Sequence, residues 1–186
     1  MKKYFGPQTW LYPMPVFIIG TYNEDGTPNA MNAAWGGTAN SCRIAICVDR
    51  NHKTTENFKA RKAFTVAIAD RDTLVASDYV GIVSGFDVPD KISRAGLTAV
   101  KSEFVDAPCF AEYKMTLECR MISYDDDSEL LIGEIVNIQA EETILGEDGQ
   151  IDVCRLKPIT YDPVHHGYYV FGEKAGQAYS DGKELE

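Results

Sequence analysis

This sequence of 186 residues lacks the signatures of several protein classes. It has no CxxC pair, no GxGxxG fingerprint and no apolar run near the ~18 residues that a membrane span requires. Basic residues are scarce: 18 Lys and Arg stand against 28 Asp and Glu, which gives a net charge of −10 and a pI near 4.8. Because this field repels phosphates, neither a nucleic acid nor an anionic membrane is expected as a partner.

The N-terminal residues contain no continuous apolar segment of the signal-peptide type. We therefore expect a cytoplasmic protein. Cysteines are few and odd in number, at Cys42, Cys47, Cys109, Cys119 and Cys154. Most lie in apolar or strand-like runs, which predicts buried, reduced thiols, with Cys42 beside Arg43 as the exception. A zinc site would need non-standard spacing between these cysteines and the three histidines, so no metal is predicted.

Hydrophobic residues make up 45% of the chain and charged residues 25%, which suits one globular domain with a sizeable core. Residues 1–15 contain three prolines among aromatic side chains and predict an extended N-terminal arm. Residues 16–171 form the predicted domain. Residues 172–186 are polar and predict a C-terminal tail.

Short runs in which apolar and polar residues alternate, separated by turn signals, make up most of the domain. Asp25-Gly26 predicts a hairpin between a strand at 16–22 and a second arm from Thr27 onward. Apolar and polar residues alternate over 112–124 and again over 130–140, and an acidic turn joins the two segments. Many short strands with two or three brief helices indicate a mainly β fold, a β-barrel with helical insertions, because closing the sheet removes exposed edges.

Residues 27–62 carry the strongest sign of a ligand. The segment from Asn29 to Gly37 is rich in Asn, Ala and Gly, so its backbone can approach a flat ligand closely, and Trp35 adds an aromatic face. A strand at 43–48 and a helix at 54–61 follow. The predicted helix has Phe58 and Ala60 on its inward face.

Hydroxyls and cations converge on the N-terminus of that helix, where the dipole favours a phosphate dianion. They belong to Arg50, Lys53, Thr54 and Thr55. The loop at 84–91 adds Ser84 and Lys91, which can close over the same anion. The alternative is a surface helix capped by His52, Thr54 or Thr55, with solvated charges and a plain connecting loop.

Four pieces in order give the chain a family resemblance: the hairpin with Gly26 and Asn29 leading into MNAAW, RNHKTTEN at 50–57, SGFDVPDK at 84–91, and GYYVFGE from Gly167. From about Pro15 to Tyr169 the sequence resembles the flavin reductase-like FMN-binding split barrels, and within them the flavoredoxin-like branch. The resemblance implies a split β-barrel, and a homodimer with one FMN per subunit near the subunit interface.

The resemblance also implies roles for the cradle residues. Asn32, Ala33, Ala34 and Trp35 are expected along the isoalloxazine. Six side chains are expected around the phosphate end, those of Arg50, Lys53, Thr54, Thr55, Ser84 and Lys91. No catalytic side chain is predicted, because the flavin itself carries the redox chemistry.

The function that follows is an FMN-containing oxidoreductase or electron-transfer flavoprotein, passing electrons between NAD(P)H or a protein donor and an acceptor. Many members that reduce free flavin have an Asp-His stretch where this chain has Asp127 and Ser128, which argues against direct nicotinamide turnover. Two alternatives stay open. One is an NAD(P)H-dependent reductase that releases reduced FMN to a partner enzyme, and the other is a non-enzymatic FMN-binding module.

Overall fold

The structure is a computed structural model that describes residues 1–185. Its strands are β1 (Met14–Pro15), β2 (Phe17–Tyr22), β3 (Pro28–Ala33), β4 (Gly36–Asn40), β5 (Arg43–Cys47), β6 (Ala63–Ile68), β7 (Ala99–Lys101), β8 (Pro108–Phe110), β9 (Met115–Asp125), β10 (Leu130–Ala140), β11 (Ile159–Asp162) and β12 (Gly167–Val170). Its α-helices are α1 (Lys53–Arg61), α2 (Leu74–Ile82), α3 (Lys91–Arg94) and α4 (Val153–Leu156), with 3-10 turns at Glu142–Ile144 and Asp181–Leu185.

The main sheet has the strand order β3-β2-β6-β9-β10-β5-β4, and every neighbouring pair is antiparallel. It curls into a half-barrel. Two small sheets complete the fold, β1-β11-β12 and β7-β8. The predicted fold class, a mainly β split barrel with a few short helices, is confirmed.

The predicted hairpin between β2 and β3 is present. Its turn uses Gly26 at a φ of +84°, a conformation that glycine adopts without steric penalty. The backbone N–H of Asn23 donates to the carbonyl oxygen of Thr27 at 2.8 Å, and Phe17 pairs with Ala33 at the far end. The hairpin therefore brings the MNAAW segment to the edge of the main sheet.

Two apolar clusters cover opposite faces of the sheet. Ile19 and Ile18 are both fully buried, but alternation along β2 sends them into different clusters. Phe58 of α1 joins the first cluster and Val80 of α2 joins the second. The end of β3 consequently lies between the two helices.

Helix α1 differs from its prediction in two ways. His52 is the N-cap residue, as one of the three candidates, but no side chain caps the helix, because the hydroxyls of Thr54 and Thr55 bond to other partners. Ala60 is exposed, whereas Asn57 is buried beside Phe58 and donates to Thr21 Oγ1 at 3.1 Å. A polar network therefore occupies the side of the helix that was expected to be apolar.

The segments at both ends of the described chain, residues 1–13 and 172–185, lie on the surface. Residues 1–13 are exposed and precede β1, and Tyr12 is tied to Asp162 by a hydrogen bond from its hydroxyl. Residues 172–185 are also exposed. The boundaries proposed for the arm and the tail stay predictions. Over residues 1–185, no helix combines the length and the apolar character needed to cross a membrane.

Candidate functional site

Two cavities meet at the end of β3 and form one trough. The strand cavity, of about 370 Å³, is lined by residues 31–35, 47–49, His52, Ser128 and Glu129. The lysine cavity, of about 230 Å³, lies between the N-terminus of α1 and the end of α2. Met31, Asn32 and His52 line both cavities. One elongated ligand can therefore extend from one cavity into the other.

Lys91 is the central charge of the lysine cavity. Lys91 is only 3% exposed. Its Nζ donates to the carbonyl oxygen of Val83 at 2.9 Å and to that of Val80 at 3.2 Å. No carboxylate among residues 1–185 lies within ion-pair distance of this nitrogen. Burial lowers the pKa of Lys91 to about 8. A buried ammonium without a counter-charge favours an anionic ligand in the same cavity.

Thr54 places a hydroxyl in that cavity. Its Oγ1 accepts a hydrogen bond from Asn29 Nδ2 at 2.9 Å, and the residue is only 1% exposed. Within the part of the chain that the structure describes, the hydroxyl proton of Thr54 has no acceptor. Asn29 and Asn57 both reach Thr21 Oγ1, so a buried amide network holds this hydroxyl in place.

The loop after α2 supplies the second hydroxyl. Ser84 Oγ accepts from the backbone N–H of Phe86 at 3.1 Å, which leaves its proton available to a ligand. Gly85 permits the loop to approach β3, because a Cβ at this position would lie 2.5 Å from Asn29 Oδ1. The backbone N–H groups of Lys53 and Thr54 have no acceptor in residues 1–185 and begin a nine-residue helix. Together these donors suit a phosphate.

The six predicted phosphate contacts divide into two groups. Four of them, Lys53, Thr54, Ser84 and Lys91, line the lysine cavity together. Arg50 instead forms an ion pair with Glu129 at 3.3 Å, and Thr55 Oγ1 donates to the carbonyl oxygen of Asp49 at 2.7 Å. Neither Arg50 nor Thr55 lines the trough, and their role as phosphate ligands stays a prediction.

All four predicted ring contacts line the strand cavity, namely Asn32, Ala33, Ala34 and Trp35. Trp35 is 55% exposed at its mouth. Asn32 Nδ2 donates to the carbonyl oxygen of Ser77 at 3.1 Å. Gly81 allows α2 to pack this closely, because a Cβ there would lie 2.9 Å from the Cβ of Asn32.

The expectation of buried thiols is wrong for Cys47 and Cys154, whereas Cys42, the expected exception, is exposed. Cys109 and Cys119 are buried, and burial raises the pKa of each thiol to about 12. Cys42, Cys47 and Cys154 are exposed. Cys47 lies at the end of β5, where alternation directs Ile46 into the core and leaves the thiol on the wall of the strand cavity.

Sequence reasoning placed Asn29 in the ligand segment without a role for its side chain, and it missed His52 and Gly85 as parts of the trough. Asn29 had a readable signal, because asparagine is depleted in strands and this one lies within β3. The roles of His52 and Gly85 depend on how α1 and the loop after α2 approach β3, and neither approach has a local sequence signal.

The strand cavity, with the segment from Met31 to Trp35 along one wall, continues into a pocket with a buried cation, an arrangement that fits a flat ring joined to a phosphate. The model of the flavin reductase like domain family matches residues 10–163, and the chain belongs to this family of flavin proteins. The site and the fold thus define a flavin reductase-like split barrel.

Solved structures place the chain on the flavoredoxin-like branch of the family. The chain is similar to flavoredoxin of Desulfovibrio vulgaris (Miyazaki F), with 38% identity, a TM-score of 0.94, and coverage of 98% of this chain and 100% of that one. Flavoredoxin from Methanosarcina acetivorans is 26% identical with a TM-score of 0.90 over 100% of both chains. Nitrilotriacetate monooxygenase component B from Bacillus cereus is 25% identical with a TM-score of 0.77, over 90% of this chain and 89% of that one.

Proposed function

We propose that the protein holds FMN in the trough and acts as an oxidoreductase or electron-transfer flavoprotein. The observation that carries this proposal is the buried ammonium of Lys91, which faces the same cavity as Thr54 and Ser84 and has no carboxylate partner among residues 1–185. The phosphate of FMN supplies the missing charge. When bound, the flavin supplies the redox chemistry that amino-acid side chains cannot provide.

The chain itself binds and orients the cofactor. Lys91, Thr54 and Ser84 donate to the phosphate in the lysine cavity. The backbone from Asn32 to Ala34 and the ring of Trp35 support the isoalloxazine in the strand cavity. Because a phosphate at one end and a flat wall at the other fix both ends of the ligand, the ring has a defined orientation.

The electron donor is NAD(P)H or a protein. Ser128, near which many flavin-reducing members carry histidine, lines the strand cavity. At position 128 this chain therefore has a hydroxyl in place of that imidazole, and the imidazole that lines the cavity is the one of His52 at the N-terminus of α1. The hydroxyl at position 128 supports exchange of electrons through a retained flavin. The likeness to a monooxygenase component B supports the alternative, release of reduced FMN to a partner enzyme.

The absorbance spectrum of the purified protein and a titration of flavin-free protein with FMN and riboflavin test the proposal. Purified protein should be yellow. FMN should bind at least tenfold more tightly than riboflavin, because charge-assisted hydrogen bonds contribute roughly 1.5 to 3 kcal/mol each. Equal affinity for both flavins would show that the lysine cavity does not hold the phosphate. Steady oxidation of NADH or NADPH with an artificial acceptor would exclude a purely non-enzymatic FMN module.

The proposal includes a second copy of the chain. Large apolar side chains are exposed around the trough: Trp35 at 55%, Ile82 at 72% and Phe86 at 54%. Val75 is 79% exposed and lies two turns before Ile82 on the same face of α2. A two-fold dimer with FMN near its interface would cover them. Size-exclusion chromatography with light scattering should give twice the chain mass, and a monomer that retains FMN would contradict the dimer.

A further inference from the structure

A cavity lies on the face of the main sheet that is turned away from the first apolar cluster. This Glu118 cavity, of about 470 Å³, lies between strands β9 and β10 and the β7-β8 hairpin. It shares no lining residue with the strand cavity or the lysine cavity. Its volume is in the range of small-molecule sites. The cavity is therefore a candidate for a second site, separate from the trough.

The floor of the Glu118 cavity is polar although it is covered. Alternation along β9 sends Leu117 and Cys119 into the first apolar cluster and turns Thr116 and Glu118 to the opposite face. Thr116 is 1% exposed and Glu118 is 3% exposed. Because an unpaired polar group costs free energy when it is buried, covered strand positions usually carry apolar side chains. These two polar residues therefore need partners.

Glu118 has hydrogen-bond donors but no counter-charge. Its Oε1 accepts from Ser102 Oγ at 2.5 Å, and its Oε2 accepts from Asn137 Nδ2. No Lys, Arg or His among residues 1–185 lies within ion-pair distance of this carboxylate. A carboxylate oxygen can accept two hydrogen bonds, so Oε2 keeps one position open. The negative charge is thus held in place without being neutralised.

Other polar groups of the cavity also lack partners. The hydroxyl of Thr116 has no hydrogen-bond partner in the part of the chain that the structure describes. The Oδ1 of Asn137 and the Oε1 of Gln139 have no donor there, since the two amide nitrogens are used on Glu118 and on Cys109 Sγ. The thiol of Cys109 keeps its proton, because burial and the nearby carboxylate raise its pKa to about 12. The cavity therefore presents more free acceptors than free donors.

The remaining charges of the lining do not neutralise Glu118. Lys114 lines the cavity, but its Nζ pairs with Asp72 Oδ2 at 2.6 Å and with Asp70 Oδ2 at 3.0 Å. Three other charged residues line the cavity and are exposed: Lys101, Glu103 and Glu141. Carboxylates thus outnumber the unpaired ammonium groups, and a ligand with a positive charge is favoured.

Aromatic rings form part of the wall. Phe110 is 2% exposed and Tyr113 is 5% exposed, and both line the cavity. Aromatic faces attract cations and pack against flat rings. A small cation with an apolar or aromatic body would therefore match both the wall and the floor.

We propose that the Glu118 cavity binds a small organic cation whose N–H groups donate to Glu118 and Thr116. Two kinds of group share this chemistry, a planar amidinium or guanidinium and a primary ammonium. The site would be additional to the flavin site, because no residue lines both.

Isothermal titration calorimetry of the purified protein with four probes tests the proposal: benzamidine, benzylamine, benzamide and benzoate. Benzamide is the neutral counterpart of benzamidine in shape, and benzoate is the anionic one. At least one of the two cations should bind about tenfold or more tightly than benzamide and benzoate, because a hydrogen bond to a charged group is worth about that factor. The tighter cation identifies the kind of group. A smaller preference, or no binding of either cation at millimolar concentration, overturns the proposal.

Variants assign the preference to the floor of the cavity. Glu118→Gln removes the charge but keeps an acceptor oxygen, and it should lose the preference for cations. Thr116→Val keeps the charge and the shape of the side chain, and it should weaken cation binding about threefold or more. Glu147→Gln removes one negative charge from an exposed site and serves as the matched control.

The melting temperature of each variant shows whether it is folded at the temperature of the titration. A cation preference that survives in folded Glu118→Gln overturns the proposal. If Glu118→Gln does not fold, Thr116→Val decides, and unchanged cation affinity in that variant overturns the proposal.

A competition experiment separates this site from the flavin site. FMN should bind equally well with and without saturating benzamidine, since the Glu118 cavity and the trough have no lining residue in common. Displacement of FMN by benzamidine would place the cation in the trough and overturn the proposal. Failure of the wild type to bind FMN would reject the proposed function, while calorimetry with the four probes would still test the Glu118 cavity.

Discussion

The ammonium nitrogen of Lys91 lies 2.9 Å from the carbonyl oxygen of Val83, next to the C-terminus of α2. Carbonyl oxygens stabilise a cation only in part, and burial still lowers the pKa of Lys91 to about 8 from its ordinary 10.5. The flavin-free protein therefore holds a charge that its own groups do not neutralise. A bound phosphate would restore the pKa.

The first prediction concerns pH. In the flavin-free protein the folded state loses the Lys91 proton near pH 8 and the unfolded state near 10.5, so the unfolded state binds more protons between these values. The contribution of Lys91 to the free energy of unfolding of the flavin-free protein therefore rises with pH between about 8 and 10.5. FMN binding needs the charged form, so FMN affinity should fall above about pH 8, by up to roughly tenfold per pH unit.

Fluorescence titrations with FMN from pH 6.5 to 9.5 measure this dependence. Riboflavin should show no such fall, because it lacks the phosphate. In Lys91→Met the FMN affinity should be low and flat above pH 8. A wild-type FMN affinity that stays constant to pH 9.5 would place the phosphate away from Lys91.

The second prediction concerns the hydroxyl of Thr54. Thr54→Val keeps the shape of the side chain but removes the proton donor, so FMN affinity should fall about tenfold to a hundredfold, equivalent to ~1.5 to 3 kcal/mol. Riboflavin affinity should change little. Thr54→Ser restores the hydroxyl and is the control. Equal losses for FMN and riboflavin would indicate a general disturbance of the buried amide network.

The sequence predicted which residues lie near the phosphate end of the site better than which of their side chains face the ligand. The helix dipole, the hydroxyls and the cations around residues 50–55 are local features, and they lie close to one another. Which side chain faces the ligand depends on packing: Asp49 accepts from Thr55, and Glu129 on the neighbouring hairpin binds Arg50. Glu129 is 79 residues away in sequence, so no local pattern indicates that pair.

The third prediction concerns thiol reactivity. Ellman's reagent should modify the three exposed cysteines quickly and leave Cys109 and Cys119 unmodified until the protein unfolds, since burial raises the pKa of both thiols to about 12. FMN should protect Cys47, which lines the strand cavity. Peptide mapping after labelling, with and without FMN, measures this protection. Unchanged labelling of Cys47 would place the flavin ring elsewhere.

The same thiols are not expected to relay electrons, because Cys42 and Cys47 lie at opposite ends of the extended strand β5, roughly 16 Å apart, which is too far for a disulfide. Cys42→Ala and Cys47→Ala should each retain FMN and the rate of flavin reduction. A variant that keeps its flavin but no longer transfers electrons to an acceptor would show that a thiol takes part.

The fourth prediction concerns a buried carboxylate on the outer side of the sheet. Glu118 is 3% exposed and accepts hydrogen bonds from Ser102 Oγ at 2.5 Å and from Asn137 Nδ2. Glu118→Ala leaves both donors without an acceptor, so the free energy of unfolding should fall by about 2 kcal/mol or more. Urea denaturation measures this change. Glu134→Ala, at an exposed position of β10, should change stability by less than ~0.5 kcal/mol.

FMN affinity separates this structural role from a role in the site. The cavity beside Glu118 shares no lining residue with the trough. Folded Glu118→Ala protein should therefore bind FMN as the wild type does. A selective loss of FMN affinity would contradict the separation of the two regions.

The last prediction tests the packing that aims Thr54 at the phosphate. An added Cβ at Gly85 would lie 2.5 Å from Asn29 Oδ1, too close for any real contact, so either the loop or Asn29 must move. Asn29 donates to Thr54 Oγ1, and Ser84 precedes Gly85 in the loop. Gly85→Ala should therefore weaken FMN binding about tenfold through displaced phosphate donors, which is the effect of losing ~1.4 kcal/mol. Riboflavin affinity should be retained.

Gly172→Ala is the matched control, because a Cβ at Gly172 meets open space and its φ is not in the left-handed region. Both variants remove the same backbone freedom from the unfolded chain, so their comparison isolates the contact with Asn29. FMN and riboflavin titrations of the two variants complete the test. If Gly85→Ala binds FMN as tightly as Gly172→Ala does, the loop can withdraw from β3 without disturbing the site, and Asn29 does not position Thr54.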